Sequence, residues 1–280
     1  MILIDMNQIA VANLMMNLKM NNSKTVDESM VRHMILNSIR MYRKEHHDEY
    51  GEVVLTWDSK HSWRRDYYPE YKAGRRKGRE ESDLNWDDIF GTLNKIRNEI
   101  KENFPYKYLE VFGAEADDII GFLCEENRDE KILIISGDKD FIQLQKYSNV
   151  TQWSPITKKQ VNGFDPTIYL KEHILKGDTS DGVPNVLSPD NTFTDGLRQR
   201  PLSRKKIQSW LVGGGSDWND EVKRNFQRNL TLIDLTKTPE ELKNQIRLEY
   251  NNAPHGDRSK LLNYFMKNKL KELTENIGEF

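Results

Sequence analysis

The sequence predicts an α/β fold in which a mostly parallel central sheet is flanked by helices and followed by a helical C-terminal region. Short apolar or β-branched runs alternate with amphipathic segments in the first half of the chain, as in parallel sheets. Three of these runs, Ile2–Asp5, Glu52–Asp58 and Lys131–Ser136, end in an aspartate or are followed closely by one. After Asp165 the pattern is mostly helical.

The individual elements follow from spacing and composition. The run Ile2–Asp5 predicts a buried strand, and apolar residues at helical spacing predict a helix from Asp27 to about His46. Segment 59–82 lacks apolar periodicity but is rich in aromatic and basic residues, which favours a mobile or functional insertion. We further expect a helix over Trp86–Ile100, a strand at Tyr106–Val111, a helix at Glu115–Glu126, a strand at Lys131–Ser136, short edge strands within Thr151–Val161, and a loop at Gly213–Gly215.

Composition excludes several classes of protein. Cys124 is the only cysteine among 280 residues, which excludes a disulfide scaffold and cysteine-based zinc clusters. No apolar run approaches the roughly 18–20 residues of a membrane span. The N-terminus has no basic region of the kind that begins a signal peptide. These features favour a protein of a reducing cytosol that does not contact membranes.

The charges are segregated along the chain, although the formal net charge is only -2. Between Lys60 and Arg79 there are eight basic residues and two acidic ones, and a second basic cluster spans 198–206. The acids gather in short groups at 115–118, 138–140 and 178–181. Such a chain can hold an anionic polymer on one surface and a metal ion elsewhere, although a solvated face explains either basic run equally well.

Three predicted strands deliver an acid to the same edge of the sheet. Asp5, Asp58 and Asp138 lie at or just past the C-terminal ends of these strands, which is where ligands bind in open α/β sheets. Each of the other acidic groups has an ordinary explanation when taken alone, as a helix cap or as turn chemistry. These groups are Glu115, Asp117 and Asp118, then Asp138 and Asp140, and finally Asp178 and Asp181.

Taken together, the acids predict a metal site. Converging carboxylates raise one another's pKa, and a divalent cation relieves the repulsion. All-oxygen ligands favour Mg²⁺ or Mn²⁺ over Zn²⁺, and two such ions are the usual apparatus of phosphodiester hydrolysis. No histidine or serine lies in a triad-like motif, and we expect His33, His46 and His47 on a solvated helix face.

The acidic groups resemble the metal-binding set of the flap endonuclease/5′-nuclease family, and within it the ribonuclease H branch of T-even bacteriophages. The resemblance spans nearly the whole chain and is most specific up to Asp181. It implies a PIN/5′-nuclease-like fold with a catalytic domain at 1–181, a helical arch at about 59–82 and a helical duplex-binding region at 182–280. Three segments match that branch almost as blocks: WRRDYYPEYKAGRRKGREES, ILIISGDKDFIQLQKYSNVTQWSP and ILKGD.

The same resemblance assigns roles to residues of the acidic groups and the arch. It implies two Mg²⁺ ions, for which Mn²⁺ would substitute. Lys72 and Arg75 match the Tyr-Lys-x-x-Arg segment of the arch and would grip the scissile phosphate. Asp118 is adjacent to the motif and is a weaker candidate. The tighter site would comprise Asp58, Glu115, Asp117, Asp138 and Asp140 with Asp5 close by, and the second ion would be held by Asp178 and Asp181.

Nucleic-acid contacts are expected from the arch and from the C-terminal region. The aromatic residues Trp63, Tyr67, Tyr68 and Tyr71 either stack on a threading 5′ strand or pack the arch against the body. The region after Asp181 lacks the Gly-x-Gly turn that binds potassium in many relatives, which leaves open whether such a site exists. The predicted contacts are Arg64, Arg65, Tyr71, Arg76 and Arg79 in the arch, and Arg198, Arg204, Lys205 and Lys206 beyond it.

The resemblance implies a structure-specific 5′–3′ nuclease that removes RNA primers and 5′ flaps during lagging-strand replication, in the host cytosol if phage-encoded. Its substrates would be forked, flapped or nicked duplex DNA and RNA–DNA hybrids. We expect a monomer, with a single-strand-binding protein or a sliding clamp as candidate partners. The chain begins close to its first strand, so a clamp tether located there in relatives is expected to be absent or elsewhere.

Two alternatives come from different classes. A toprim-type phosphotransfer domain also uses acids after strands, but it normally has Glu where Asp5 stands, and it leaves Asp178 and Asp181 unexplained. A non-catalytic fork-binding protein on a nuclease scaffold would require a missing ligand, and none is missing. Binding of a flap without shortening it would identify that second alternative.

Overall fold

A six-stranded sheet with the order β3-β2-β1-β4-β5-β6 forms the centre of the computed structural model, which describes residues 1–280. The first five strands are parallel, and β6 pairs antiparallel with β5 at one edge. The mostly parallel sheet confirms the predicted fold class. The strands are β1 (Ile2–Asp5), β2 (Val53–Thr56), β3 (Lys107–Leu109), β4 (Ile132–Ile135), β5 (Val150–Ser154) and β6 (Lys159–Gln160).

Helices cover both faces of this sheet. Every residue of β1, β2 and β4 is buried, as expected for strands that are covered on both sides. A 3₁₀ helix, Lys139–Lys146, follows β4. The α-helices are α1 (Met6–Met20), α2 (Glu28–Tyr50), α3 (Trp63–Tyr67), α4 (Gly74–Glu80), α5 (Trp86–Asn103), α6 (Ala116–Glu126), α7 (Pro166–Lys176), α8 (Arg204–Gly213), α9 (Asp220–Ile233), α10 (Glu240–Asn252), α11 (Leu261–Lys267) and α12 (Lys271–Glu275). None of them combines the length and the apolar composition that a membrane span requires.

The hydrophobic core crosses the predicted domain boundary at residue 181. Leu261, Phe265 and Phe280 belong to the same buried cluster as Ile4 and Leu55 of the central strands. On the opposite face of the sheet, α10 contributes to the cluster that contains α6. The last third of the chain therefore completes the core of the α/β fold, and the division into 1–181 and 182–280 stays a prediction about function.

A buried charge network fastens the C-terminal helices to the body. Arg32 of α2 donates to both carboxylate oxygens of Glu99 on α5, over 2.7 and 2.9 Å. The hydroxyl of Tyr264 on α11 donates to the same carboxylate over 2.8 Å. The planar guanidinium matches the carboxylate at two points and so fixes α2 against α5. The Tyr264 hydroxyl ties α11 to the same carboxylate.

Histidine 46 departs from the sequence prediction. Its side chain is only 18% exposed and lies edge-on to Trp153, with ring centroids 5.7 Å apart. Burial lowers the pKa of His46 below its usual value. The prediction of a solvated position was wrong for this residue, because α2 turns the His46 side chain toward β5.

The predicted arch consists of two short helices with different environments. Helix α3 is anchored, since Arg64 within it is buried and the following Tyr68 and Tyr71 are each 4% exposed. Helix α4 buries none of its side chains. Segment 59–82 therefore lacks apolar periodicity because α4 is solvated, while α3 and the two tyrosines after it anchor the segment to the body.

The segment between α7 and α8 is a long loop supported by polar side chains of α9. Asn225 donates to the backbone carbonyls of Val186 and Ser188, and Arg228 donates to that of Pro184. These bonds satisfy buried carbonyl groups that no secondary structure would otherwise pair. They present the basic start of α8 at the surface.

Candidate active site

The strand ends bring the predicted acids together. Asp5 ends β1 and accepts hydrogen bonds from the amide of Gln8 (3.1 Å) and from the hydroxyl of Ser136 (3.0 Å). Asp58, two residues after β2, accepts from the amide of Ala116 at the start of α6 (2.7 Å). The first turn of α6 is thereby fixed against the end of β2.

Burial and mutual repulsion perturb the acids of this cluster. Burial raises the pKa of Asp5 to about 7, with repulsion from Asp58 and Asp138 adding to the effect. Burial also raises the pKa of Asp140 to about 7, and that of Asp117 well above its usual value, with the charge of Asp138 adding to each. Perturbed groups at one sheet edge indicate a functional site, and a divalent cation would restore their ionised form.

The arch places its cations directly on two of the predicted metal ligands. Lys72 Nζ lies 2.6 Å from Glu115 Oε1 and 3.7 Å from Asp181 Oδ2, and Arg75 pairs with Asp181. Burial opposes the charge of Glu115, but Lys72 and Arg64 outweigh it and hold the pKa of Glu115 below its usual value. The predicted phosphate-gripping pair therefore lies at the acidic cluster.

Backbone geometry lets the arch approach this closely. Lys72 has a left-handed backbone (φ +56°), an uncommon conformation for a non-glycine residue, and its amide donates to the carbonyl of Asp181 over 2.8 Å. Gly182 also has a positive φ, and a Cβ there would lie 3.0 Å from the carbonyl oxygen of Glu70. A larger residue at 182 would push the arch away from the acids.

Two of the predicted nucleic-acid contacts are buried in the structure. Arg64 is 2% exposed, and its guanidinium donates to Asp118 (2.8 Å), to Glu115 (3.2 Å) and to the carbonyl of Leu232. Tyr71 is almost fully buried, and its hydroxyl lies 2.8 Å from both Glu115 Oε2 and Asp181 Oδ2. Neither side chain is free to contact nucleic acid, because each is committed to the acidic cluster.

The other arch aromatics divide between packing and exposure. Tyr68 is buried, and the indole of Trp63 donates to Asp118 over 3.2 Å. Tyr67 is 48% exposed. The packing explanation therefore holds for Trp63, Tyr68 and Tyr71, and stacking on a strand stays open only for Tyr67.

Asp118 has a structural role. It is fully buried, forms a reciprocal cap with Glu115 at the start of α6, and accepts hydrogen bonds from Arg64, Trp63 and the hydroxyl of Thr238. Its oxygens are thus occupied by the arch base and by the segment before α10. These hydrogen bonds account for an aspartate at this position without assigning it a metal ion.

His173 is a member of the site that sequence reasoning missed. Its Nδ1 lies 3.4 Å from Asp140 and its Nε2 lies 3.5 Å from Asp178. Burial opposes its charge, but the two carboxylates outweigh burial and raise the pKa of His173. One ligand atom from each of the three residues lies within 4.8 Å of the others. The imidazole thereby connects the two acidic groups.

The remaining predicted contacts lie at the surface. Arg76 is exposed and pairs with Glu80, whereas Arg79 is partly covered by the ring of Phe90. Ser203 caps α8, and the basic residues of its first turn are exposed. Positions that are exposed and accessible to a polyanion are Arg65, Arg76, Arg198, Arg204, Lys205 and Lys206. Their role as nucleic-acid contacts stays a prediction.

Comparison with known proteins agrees with this geometry. Residues 1–173 match the family model of the 5′–3′ exonuclease N-terminal resolvase-like domain, and residues 165–280 match that of the T4 RNase H C-terminal region. The chain is 36% identical over 296 residues to ribonuclease H of Enterobacteria phage T4, covering 99% of this chain and 95% of that protein.

Two further similarities are more distant. A 5′–3′ exonuclease of Buchnera aphidicola is 28% identical over 174 residues, which cover 59% of this chain and 58% of that protein. A crystal structure of the bacteriophage T5 flap endonuclease with DNA and metal ions matches with a TM-score of 0.62 at 17% identity, covering 89% of this chain and 97% of that one. The T5 structure shares the fold.

Proposed function

This chain belongs to the 5′–3′ exonuclease family and is a structure-specific 5′–3′ nuclease, and we propose that it hydrolyses phosphodiester bonds with two Mg²⁺ ions held by its acidic cluster. The observation that carries the proposal is the convergence of Asp5, Asp58 and Asp138 from three strand ends on the start of α6. Mn²⁺ would substitute, since both ions prefer oxygen ligands.

The acidic residues would divide between the two ions. Asp58, Glu115, Asp117, Asp138 and Asp140 would hold the first, with Asp5 close by, and Asp178 and Asp181 would hold the second. When bound, the ions supply a nucleophile at neutral pH and neutralise charge on the leaving oxygen. The raised pKa of Asp5 supports metal binding at this cluster, because a cation would replace the proton that burial otherwise favours.

The arch cations would bind the scissile phosphate. Lys72 and Arg75 already reach Glu115 and Asp181, so a phosphate placed between the acids and the arch would lie within reach of both cations. Arg75 is the more exposed of the two, and its fork suits two phosphate oxygens. These groups stabilise negative charge that grows on the phosphate during hydrolysis.

The substrates would be flapped, forked or nicked duplex DNA and RNA–DNA hybrids, and the biological role would be removal of RNA primers and 5′ flaps. The T4 relative is named a ribonuclease H, and the T5 structure is a flap endonuclease complexed with DNA. Exposed cations on α4 and at the start of α8 would hold phosphates without reading base sequence. A single-strand-binding protein or a sliding clamp would be the replication partner.

The test is cleavage of two 3′-labelled substrates, a 5′-flap duplex and an RNA–DNA hybrid, in Mg²⁺ and in EDTA. We expect shortening from the 5′ side in Mg²⁺ alone, with the 3′ label retained. Asp87→Asn, which changes an exposed acid on α5, is the matched control and should cleave normally. Tight binding without cleavage in Mg²⁺ or Mn²⁺ would overturn the proposal in favour of a fork-binding scaffold.

A further inference from the structure

An aromatic pair projects into solvent beside the acidic cluster. Phe112 is 77% exposed, more than any other aromatic among the exposed large hydrophobic residues. Its ring stacks on the imidazole of His61, with centroids 5.4 Å apart and planes 15° from parallel. Single exposed apolar residues are common, so exposure alone decides nothing. The evidence for a function comes from the stacking of the two rings and from the charged residues around them.

The pair is mounted on a rigid support. His61 Nε2 lies 2.7 Å from Asp66 Oδ2, which fixes the plane of the imidazole. The loop that carries Phe112 is hydrogen-bonded to the loop that carries His61 at Gly113, whose carbonyl accepts from the amide of Trp63 over 2.9 Å. The amide of Ser59 donates to the carbonyl of Ala114 over 3.0 Å. These bonds hold together the two loops that carry the rings.

Both residues are close in sequence to predicted metal ligands. Phe112 is three residues before Glu115, and His61 is three residues after Asp58. Three residues span at most about 11 Å, so the backbone of each ring residue lies within that distance of a predicted ligand's backbone. His61 follows the C-terminal end of β2 and Phe112 that of β3, the same edge of the sheet as the acids, and both lie outside the arch helices.

The charges around the pair favour a polyanion. Lys60 and Arg65 are exposed and have no ion-pair partner. The nearby acids are occupied, since Asp66 faces His61 and Glu110 pairs with Arg97. An apolar stacking face flanked by free cations suits a nucleobase with its phosphates better than an apolar protein segment.

We propose that Phe112 and His61 form a stacking platform for a substrate nucleobase next to the scissile phosphate, with Lys60 and Arg65 holding the adjoining phosphates. This inference deepens the proposed function and rests on it. A base stacked here would fix which phosphate of the strand reaches the acids. Phe112 is thus a positioning residue, which acts by orienting the strand.

The direct test is the fluorescence of 2-aminopurine placed at successive positions around the junction of a 5′-flap duplex. Binding is measured in EDTA, where hydrolysis does not interfere. We expect quenching at one position with the unaltered protein, loss of that quenching in Phe112→Ala and Phe112→Leu, and its return in Phe112→Trp. Leucine keeps the apolar surface but removes the aromatic face, so it separates stacking from simple burial.

Kinetics on the same flap in Mg²⁺ supply the second readout. Stacking on one base predicts roughly a ten-fold fall in kcat/KM for Phe112→Ala, mostly through KM, with recovery in Phe112→Trp. Met266→Ala, which trims another exposed apolar side chain, on α11, is the control and should leave both constants unchanged.

Two results would overturn the platform. One is 2-aminopurine fluorescence that is identical for the unaltered protein and Phe112→Ala at every position. The other is full activity of Phe112→Leu, which would mean that no aromatic face is needed. Position-specific quenching by a protein that never cleaves would support the platform and count against the proposed hydrolysis instead.

Discussion

Lys72 Nζ lies 2.6 Å from Oε1 of Glu115, so a cation of the arch directly contacts a carboxylate of the proposed metal site. The same ammonium is 3.7 Å from Asp181, which belongs to the other acidic group. One side chain thus touches both halves of the cluster. Lys77, the lysine of the neighbouring helix α4, is exposed and pairs with Glu81 instead, so Lys72 is the lysine in position to meet a phosphate at the acids.

Lys72→Ala is expected to lower turnover by about a hundredfold or more, since it removes a preorganised cation from the point where charge grows on the phosphate. The measurement is single-turnover cleavage of a 5′-flap duplex in Mg²⁺. Lys77→Ala removes an exposed lysine of α4 and is the matched control. Equal rates for the two variants would show that Lys72 serves only to neutralise Glu115.

Asp138→Asn is expected to abolish hydrolysis and leave DNA binding nearly intact. Asp138 Oδ1 accepts the amide of Asp140 over 3.0 Å and caps the following 3₁₀ helix, a role that asparagine keeps. The charge that a metal ion needs is lost. Flap binding by gel shift and cleavage of the same flap separate the two effects. Loss of binding and cleavage together would mean that Asp138 is structural.

The strand-end acids could be predicted because their position is a local property. Asp5, Asp58 and Asp138 each follow a short apolar run, and parallel strands place such ends on one edge whatever the rest of the chain does. Comparison with the family then confirmed the fold that this pattern implied. The acids' exact ligand roles stay predictions.

The buried partners could not be predicted, because their contacts are distant in sequence. Arg64 looked like one more arch cation, yet it bonds a carboxylate 54 positions away and a carbonyl 168 positions away. His173 meets Asp140 only after α7 has packed on the 3₁₀ helix that follows β4. Helix α1 was missed for a different reason: it contacts α2, α5 and the sheet, so its apolar residues form no single stripe.

Two neighbouring arginines should separate stability from binding. Arg64→Ala leaves Asp118 without its buried cation and removes one of the two that Glu115 has, and breaking such a pair costs about 3–5 kcal/mol of unfolding free energy. Arg65→Ala changes an exposed residue and should leave stability within about 0.5 kcal/mol. Urea unfolding in EDTA measures both effects.

Flap binding by the same two variants completes the comparison. Arg65→Ala should weaken binding and make it less sensitive to salt, because one phosphate contact is lost. A stable Arg64→Ala protein with weakened binding would instead restore Arg64 as a nucleic-acid contact. That outcome requires the side chain to leave its buried position when substrate binds.

Asp5 and Asp140 should make the free energy of unfolding of the metal-free protein fall as pH rises from about 4 to 7. Burial raises the pKa of each to about 7 in the folded protein, whereas an unfolded aspartate titrates near its ordinary value of 3.8. Between those values the folded state binds more protons than the unfolded state, so unfolding becomes easier as pH increases. Above pH 7 the loss is complete.

Asp5→Asn should therefore raise the melting temperature in EDTA at pH 8 and have little effect near pH 4. Asparagine can still accept from the amide of Gln8 and donate to Ser136, so the cap of α1 is kept. Mg²⁺ should stabilise the unaltered protein more at pH 8 than at pH 6, because protons compete with the ion for the same oxygens. Melting curves at both pH values, with Mg²⁺ and with EDTA, test this. A stabilisation by Mg²⁺ that is independent of pH would mean that the ion binds away from Asp5 and Asp140.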